Sequence, residues 1–426
     1  MLSDQFGSPL TTASEAARDA YVEGIYRFLG GMDGPEESFS TSIAEDENFA
    51  MARLALARTH MTAGRGAEAK AALLGAQERR SGVTDREAAQ IGLIGDLIGG
   101  KAQQAYPLIR AHVAEYPRDV LPAQASTGVF GLIGFSGKAG REAEQLAYTT
   151  ALLPHYADDW WFLCQHAFAQ MEAGQPGPAE ANIEHALNLR PDSAHSAHVR
   201  AHLHYETGET QAGLVYLEGF WKGYSETALM HCHISWHIAI WALAEGNIEQ
   251  MWRVFDAYVS PDRTPAPALN ILTDSASLLH RAALAGVAVP PERWKQLSDY
   301  ATTAFPKPGL AFADVHAALA HAMAGEADRL KSVIDGAKGP AAPVVSILGQ
   351  AFGALADGAP DEAERLLTGV MAEHERIGGS RAQRDLIEFT LANTLLRMGN
   401  REEARRLLDM RRPHVAHDHA VAGLFN

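Results

Sequence analysis

The residues best suited to chemistry are two His-x-x-x-His pairs, His198 with His202 and His233 with His237. On a helix of about 3.6 residues per turn the members of each pair share a face. Both imidazoles of a pair can then reach one ion or one ligand from successive turns. If the two helices lie side by side, His198, His202, His233 and His237 form a candidate site for a divalent metal ion. The same set, without metal, suits acid–base chemistry, because an imidazole titrates near neutrality. A purely structural use of the four histidines is the third reading. Val199 and Leu203 mark the packed stripe of the first helix, which predicts a His face beside the core rather than in it.

Further candidates lie C-terminal to these pairs. Asp274, in NILTDSASLLHRAALAG, and Asp314 with His316, in FADVHAALAHAMAG, are candidate catalytic partners for His202 and His237. The local alternative for both aspartates is a place at a helix start, where a carboxylate caps free N–H groups and suits the macrodipole. Trp236 flanks the second His pair and is a candidate ligand contact. In IGGSRAQRD, Ser380 and Gln383 have capping-box spacing. Arg384 then falls in the first turn, where a cation opposes the helix dipole. A helix N-terminus with a guanidinium group is suited to an anion, so Ser380, Gln383 and Arg384 are candidate ligand-binding residues. No Walker loop, dinucleotide glycine pattern, H-E-x-x-H, C-x-x-C or G-x-S-x-G occurs.

Residues with such spacing need elements to hold them, and the chain's composition says which. Its 426 residues are 47% hydrophobic, rich in Ala, and punctuated by 38 Gly and 20 Pro. That pattern predicts many short helices. Gly174, Ala179, Ala186 and Pro191 have the spacing of a tetratricopeptide repeat. The glycine closes the turn, the alanines allow close helix approach, and the proline ends the second helix. Gly64, Ala69 and Ala76 repeat part of the pattern, as do Gly358 with Ala363 and Gly399 with Ala404. The expected fold is therefore an all-α superhelical solenoid of about ten helical hairpins. Residues 1–43 are expected to form a capping helix (Thr11–Leu29, with Ser14 as N-cap) and a loop (Gly30–Ser42). Residues 44–412 carry the repeats, and 413–426 form a polar tail with His414, His417 and His419.

The net charge is −16. No basic stripe is present, so a nucleic-acid partner is not expected, and anionic membrane surfaces are disfavoured. Cys164 and Cys232 do not make a disulfide framework. The N-terminus lacks an apolar signal core, and no apolar run is long enough to cross a bilayer, so a cytoplasmic location is expected.

The segments HVRAHLH, CHISWHIAIWALAEGN, TDSASLLHRAALAG, FADVHA and GGSRAQRD resemble, in order and separation, those of the tetratricopeptide repeat protein 38 family. The resemblance runs from about residue 90 to about residue 412. It implies an intracellular helical-repeat fold. It also implies a set of recognisable polar positions: His198, His202, His204, Cys232, His233, Trp236, His237, Asp274, Ser275, Asp314, His316, Ser380, Gln383 and Arg384. Where family members often carry Asn or Tyr before the Trp-His pair, this chain has Ile234 and Ser235.

These readings converge on a concave, His-rich pocket that binds a small polar or anionic molecule or a peptide end. The competing reading is a hydrolase or lyase, metal-dependent or His/Asp-based, using the same pocket. Homo-oligomerisation stays open.

Overall fold

The computed structural model describes residues 2–262, 265–415 and 419–425; His417 of the tail lies outside them. A short antiparallel ribbon, β1 (Leu2–Ser3) with β2 (Pro9–Leu10), leads into helices. α1 (Glu15–Gly30) starts at Ser14, whose hydroxyl accepts the Ala17 N–H. α2 (Pro35–Glu45) occupies most of the segment expected to be a loop. Pro35 is pre-set for the first helical turn, Glu36 and Glu37 suit the positive helix end, and Phe39 packs on Gly24 of α1. The first hairpin thus precedes the region where repeats were expected.

Ten successive helix pairs follow among the described residues. α3 (Ala50–Thr62) pairs with α4 (Gly66–Gln77), and α5 (Asp85–Ile98) with α6 (Ala102–Glu115). The third pair, α7 (Val120–Gln124) and α8 (Arg141–Tyr156), is opened by residues 125–140. Regular hairpins resume with α9 (Trp160–Glu172) and α10 (Pro176–Leu189), α11 (Ala194–Glu206) and α12 (Thr210–Trp221). Next come α13 (His231–Ala244) with α14 (Ile248–Val254), and α15 (Ala268–Leu284) with α16 (Pro291–Ala304). The array ends with α17 (Ala311–Met323) and α18 (Ala327–Gly336), α19 (Ala342–Ala356) and α20 (Pro360–Val370), α21 (Arg381–Arg397) and α22 (Arg401–Arg411). Gly174 turns between α9 and α10 at φ +77°, a left-handed conformation that a side chain disfavours. Ala179 and Ala186 are fully buried, as are Ala76, Ala363 and Ala404 at the matching positions. The all-α solenoid expected from the repeat spacing is the observed fold.

The two helices of each pair do different work. Outer helices bury one stripe; α18 buries Leu330 and Val333, and α22 buries Ala404 and Leu408. Several inner helices are buried nearly all round: α9 shows no half-exposed residue from Trp160 to Glu172, and α13 none from His231 to Leu243. An open concave face would leave the inner helices wet on one side. Here the superhelix closes on itself instead. Arg141 of α8 donates to the Glu375 and Gly379 carbonyls, both at 2.6 Å. The Tyr205 hydroxyl of α11 donates to Asp385 of α21 at 2.8 Å. His280 of α15 meets the Thr390 hydroxyl of α21 at 2.8 Å. Among the described residues no helix is long and apolar enough to cross a membrane.

Candidate metal and ligand site

α11 and α13 are the inner helices of adjacent pairs, and each carries one His pair on the face turned to the other. Among the described residues, His198, His202, His233 and His237 each offer a ligand atom, and these atoms all lie within 4.8 Å of one another. His198 Nε2 and His202 Nε2 are 3.0 Å apart. The four rings stand mostly edge to face, with centroid separations of 4.5 Å for His198–His202 and 5.1 Å for His198–His237.

The sequence placed these histidines beside the core. The structure places them inside it: His198 is 6% exposed and His237 is 0% exposed. The closure of the superhelix covers the face that an open solenoid would leave wet. Burial, then the neighbouring imidazoles, pushes His198 and His237 well below the ordinary imidazole range. Burial takes His202 to about 3. Neutral imidazoles have free lone pairs, as metal ligation requires.

Two further features mark the cluster. His233 Nδ1–H donates to Asp274 at 2.9 Å, which leaves Nε2 as its lone-pair nitrogen. Both ring nitrogens of His237, and Nδ1 of His202, are buried without a hydrogen-bond partner. Such orphaned groups are uncommon in folded proteins, and each costs about 1–3 kcal/mol.

The sequence allows Asp274 a place at a helix start. It sits instead in the middle of α15, 1% exposed, because the helix begins at Ala268. The expected catalytic set of His202, His237, Asp274, Asp314 and His316 is not drawn together at one point. Asp274 reaches the cluster only through His233. Asp314 accepts the Gly309 backbone N–H at 3.0 Å, and burial raises its carboxyl to about 6. His316 donates from Nδ1 to the Phe312 carbonyl at 2.7 Å, with Nε2 unpartnered. Neither is part of the four-histidine group. Trp236 stacks behind His233 with ring planes 9° apart and does not line the cavity against which the histidines open.

A cavity of about 460 Å³ opens against His195, His198, His202 and His233. α1 contributes Phe28 and Leu29, and the 125–140 segment contributes Phe130 and Phe135. Ser380 and Gln383 also line it, while completing their capping box. Arg384 does not. Its guanidinium pairs with Glu142, lies 3.7 Å from Glu172, and faces a separate cleft. The free N–H at the start of α21 is taken as well: Arg381 N donates to the Glu172 carboxylate at 2.9 Å. The anion expected at this helix end is therefore a side chain of the protein itself.

Sequence reasoning missed Arg58, which lines the same cavity from α3. Its signal was present: a lone arginine in LALART, among positions that otherwise read as packed.

Residues 354–424 match the tetratricopeptide repeat family. Among solved structures, the chain is similar to the human IFIT1 dimer with m7Gppp-AAAA, at 11% identity over 96% of this chain and 97% of that one, TM-score 0.48. It is similar to human IFIT1 with PPP-AAAA at 14% identity, over 98% and 97% of the two chains, TM-score 0.43. Yeast Tom70 matches at 12% identity, over 94% and 85%, TM-score 0.36. The expectation of no nucleic-acid partner is corrected by these findings, since the IFIT1 structures hold capped or triphosphate RNA. Net acidity does not exclude such a partner.

Proposed function

We propose that this chain is a helical-repeat metalloprotein in which His198, His202, His233 and His237 hold one divalent transition-metal ion at the wall of a ligand cavity. The observation that carries the reading is the meeting of four buried imidazoles from two helices within 4.8 Å. Around a tetrahedral ion with metal–nitrogen distances of about 2.0–2.1 Å, ligand atoms stand roughly 3.3 Å apart. The His198–His202 spacing of 3.0 Å is close to that edge. An all-imidazole set suits zinc, copper, iron or nickel rather than magnesium or calcium. Asp274 orients His233 as an outer carboxylate does in metal sites. A bound ion would supply Lewis acidity to a ligand group entering from the cavity.

Ligand binding is favoured over hydrolysis for a specific reason. A metal-assisted hydrolase commonly uses a carboxylate base near the bound substrate. Among the described residues no Asp or Glu lines this cavity, Asp274 is engaged by His233, and Asp314 is engaged by backbone. Membership of the tetratricopeptide repeat protein 38 family is part of the same proposal. Its supporting observation is that six of the polar positions behind the resemblance, His198, His202, His233, Trp236, His237 and Asp274, pack into one cluster. The division into an N-terminal cap, a repeat array and a C-terminal tail, and a cytoplasmic location, stand as parts of this reading.

The test is elemental analysis of tag-free protein purified without chelator, beside the His202→Ala/His237→Ala double variant. Near-stoichiometric zinc, copper, iron or nickel in the native protein, lost in a folded variant, is the expected result. Native protein without metal, even after incubation with each ion, would sink the metal centre.

A further inference from the structure

Arg58 lies on α3 where a further apolar residue would pack; its neighbours Leu54, Ala55 and Ala57 are fully buried. The arginine is itself 7% exposed. Its Nη2 donates to Gln124 Oε1 at 2.7 Å, and its Nε has no partner. Among the described residues no carboxylate pairs with it. Burial alone acts on it, drawing its pKa down to about 10. A guanidinium cannot shed its proton at neutral pH, so a buried one without a counter-charge is costly and calls for an anion.

A cavity beside the arginine offers a place for that anion. Arg58 faces the same cavity of about 460 Å³ that His198, His202 and His233 line. It is the one Lys or Arg among the described lining residues. Much of the remaining wall is apolar and aromatic, with Phe28, Phe130, Trp161 and Phe168. The volume falls in the range of small-molecule sites, roughly 300–1,000 Å³. The fork fits carboxylate and phosphate alike, but one cation in an apolar wall balances a singly charged carboxylate and not a doubly charged phosphate.

We propose that the cavity takes a small organic acid, with its carboxylate on Arg58, its aromatic or aliphatic body against Phe130 and Phe168, and its far end toward the histidines. This rests on reading the cavity as the ligand site of the metal centre, but the Arg58 anchor does not itself require the metal.

The test is calorimetric titration of the full chain with two matched probe pairs, hydrocinnamate against phenylpropylamine and octanoate against octylamine. The acids are expected to bind at least about tenfold more tightly than the amines, the scale of a charge-assisted contact. Arg58→Gln should lose that preference while keeping the native metal content. Arg58→Met removes a buried unpaired charge, so it should raise the melting temperature of ligand-free protein while abolishing acid binding. That gain separates lost binding from failed folding. Equal binding of acids and amines, no binding of either acid, or native-like acid binding by a folded Arg58→Gln or Arg58→Met protein would overturn the proposal. Acid binding through Arg58 in protein that takes up no metal even after incubation with each ion would support this inference and remove the metal reading. The two can therefore fail separately.

Discussion

His233 and Asp274 are joined across 41 residues of chain by a hydrogen bond of 2.9 Å, with both side chains buried. The carboxylate sets the tautomer of His233 and turns its Nε2 lone pair toward the other three imidazoles. The pair also sets a carboxylate beside the buried histidine cluster. An amide at this position would keep the shape and lose the charge. Asp274→Asn is expected to weaken metal binding about 10- to 100-fold, the usual cost of losing an outer-shell carboxylate. Competition against a chelator of known affinity measures this, and unchanged affinity would reduce the pair to a packing contact.

Stability should depend on pH through histidines outside the metal cluster. Burial takes His280, His316 and His321 to about 4, below the ordinary value of 6.5. Between those values the unfolded chain binds protons that the folded chain does not. Stability is then fully present above about pH 6.5 and falls as pH drops toward 4. Each such group adds about 1.4 kcal/mol per pH unit to the slope. Urea unfolding of native protein beside a His280→Gln variant across this window checks it; an unchanged slope in the variant would contradict the neutral burial of that ring.

Gly213 of α12 lies under Trp241 of α13, and a Cβ there would come within 2.6 Å of the indole. The indole is 2% exposed and has little room to yield. Gly213→Ala is expected to cost about 1–3 kcal/mol through overpacking. Because the Trp241 and His237 rings are neighbours on α13 at 6.0 Å, metal affinity should fall with it. Thermal melts and metal titration of the same sample read both effects.

Arg384→Ala tests the reassignment of that arginine from ligand to scaffold. The change leaves Glu172, 3% exposed, without its cationic neighbour. Burial raises the Glu172 carboxyl to about 7, so it can take up a proton, and a loss of about 1–3 kcal/mol is expected. Metal content and organic-acid binding per folded molecule should stay native. Lost acid binding at full stability would return Arg384 to the ligand site.

Much of this protein was legible in its sequence because helix geometry is local. The spacing of Gly174, Ala179 and Ala186 states a helical hairpin, since turn conformation and close approach depend on nearest neighbours. The His-x-x-x-His spacing likewise states that His198 shares a face with His202, and His233 with His237, whatever surrounds them. Composition misled where a local cue was read too broadly: the Gly and Pro of residues 30–42 begin a helix at Pro35 rather than holding a loop. What meets what across repeats was decided only by the tertiary structure. The superhelix sums small rotations between successive hairpins, and that sum, not any motif, closes α21 onto α8, α11 and α15. Closure buries the His faces, sets Asp274 on His233, gives Glu172 to the α21 N-terminus and Arg384, and leaves Arg58, on a helix that read as ordinary packing, as the cation facing the cavity.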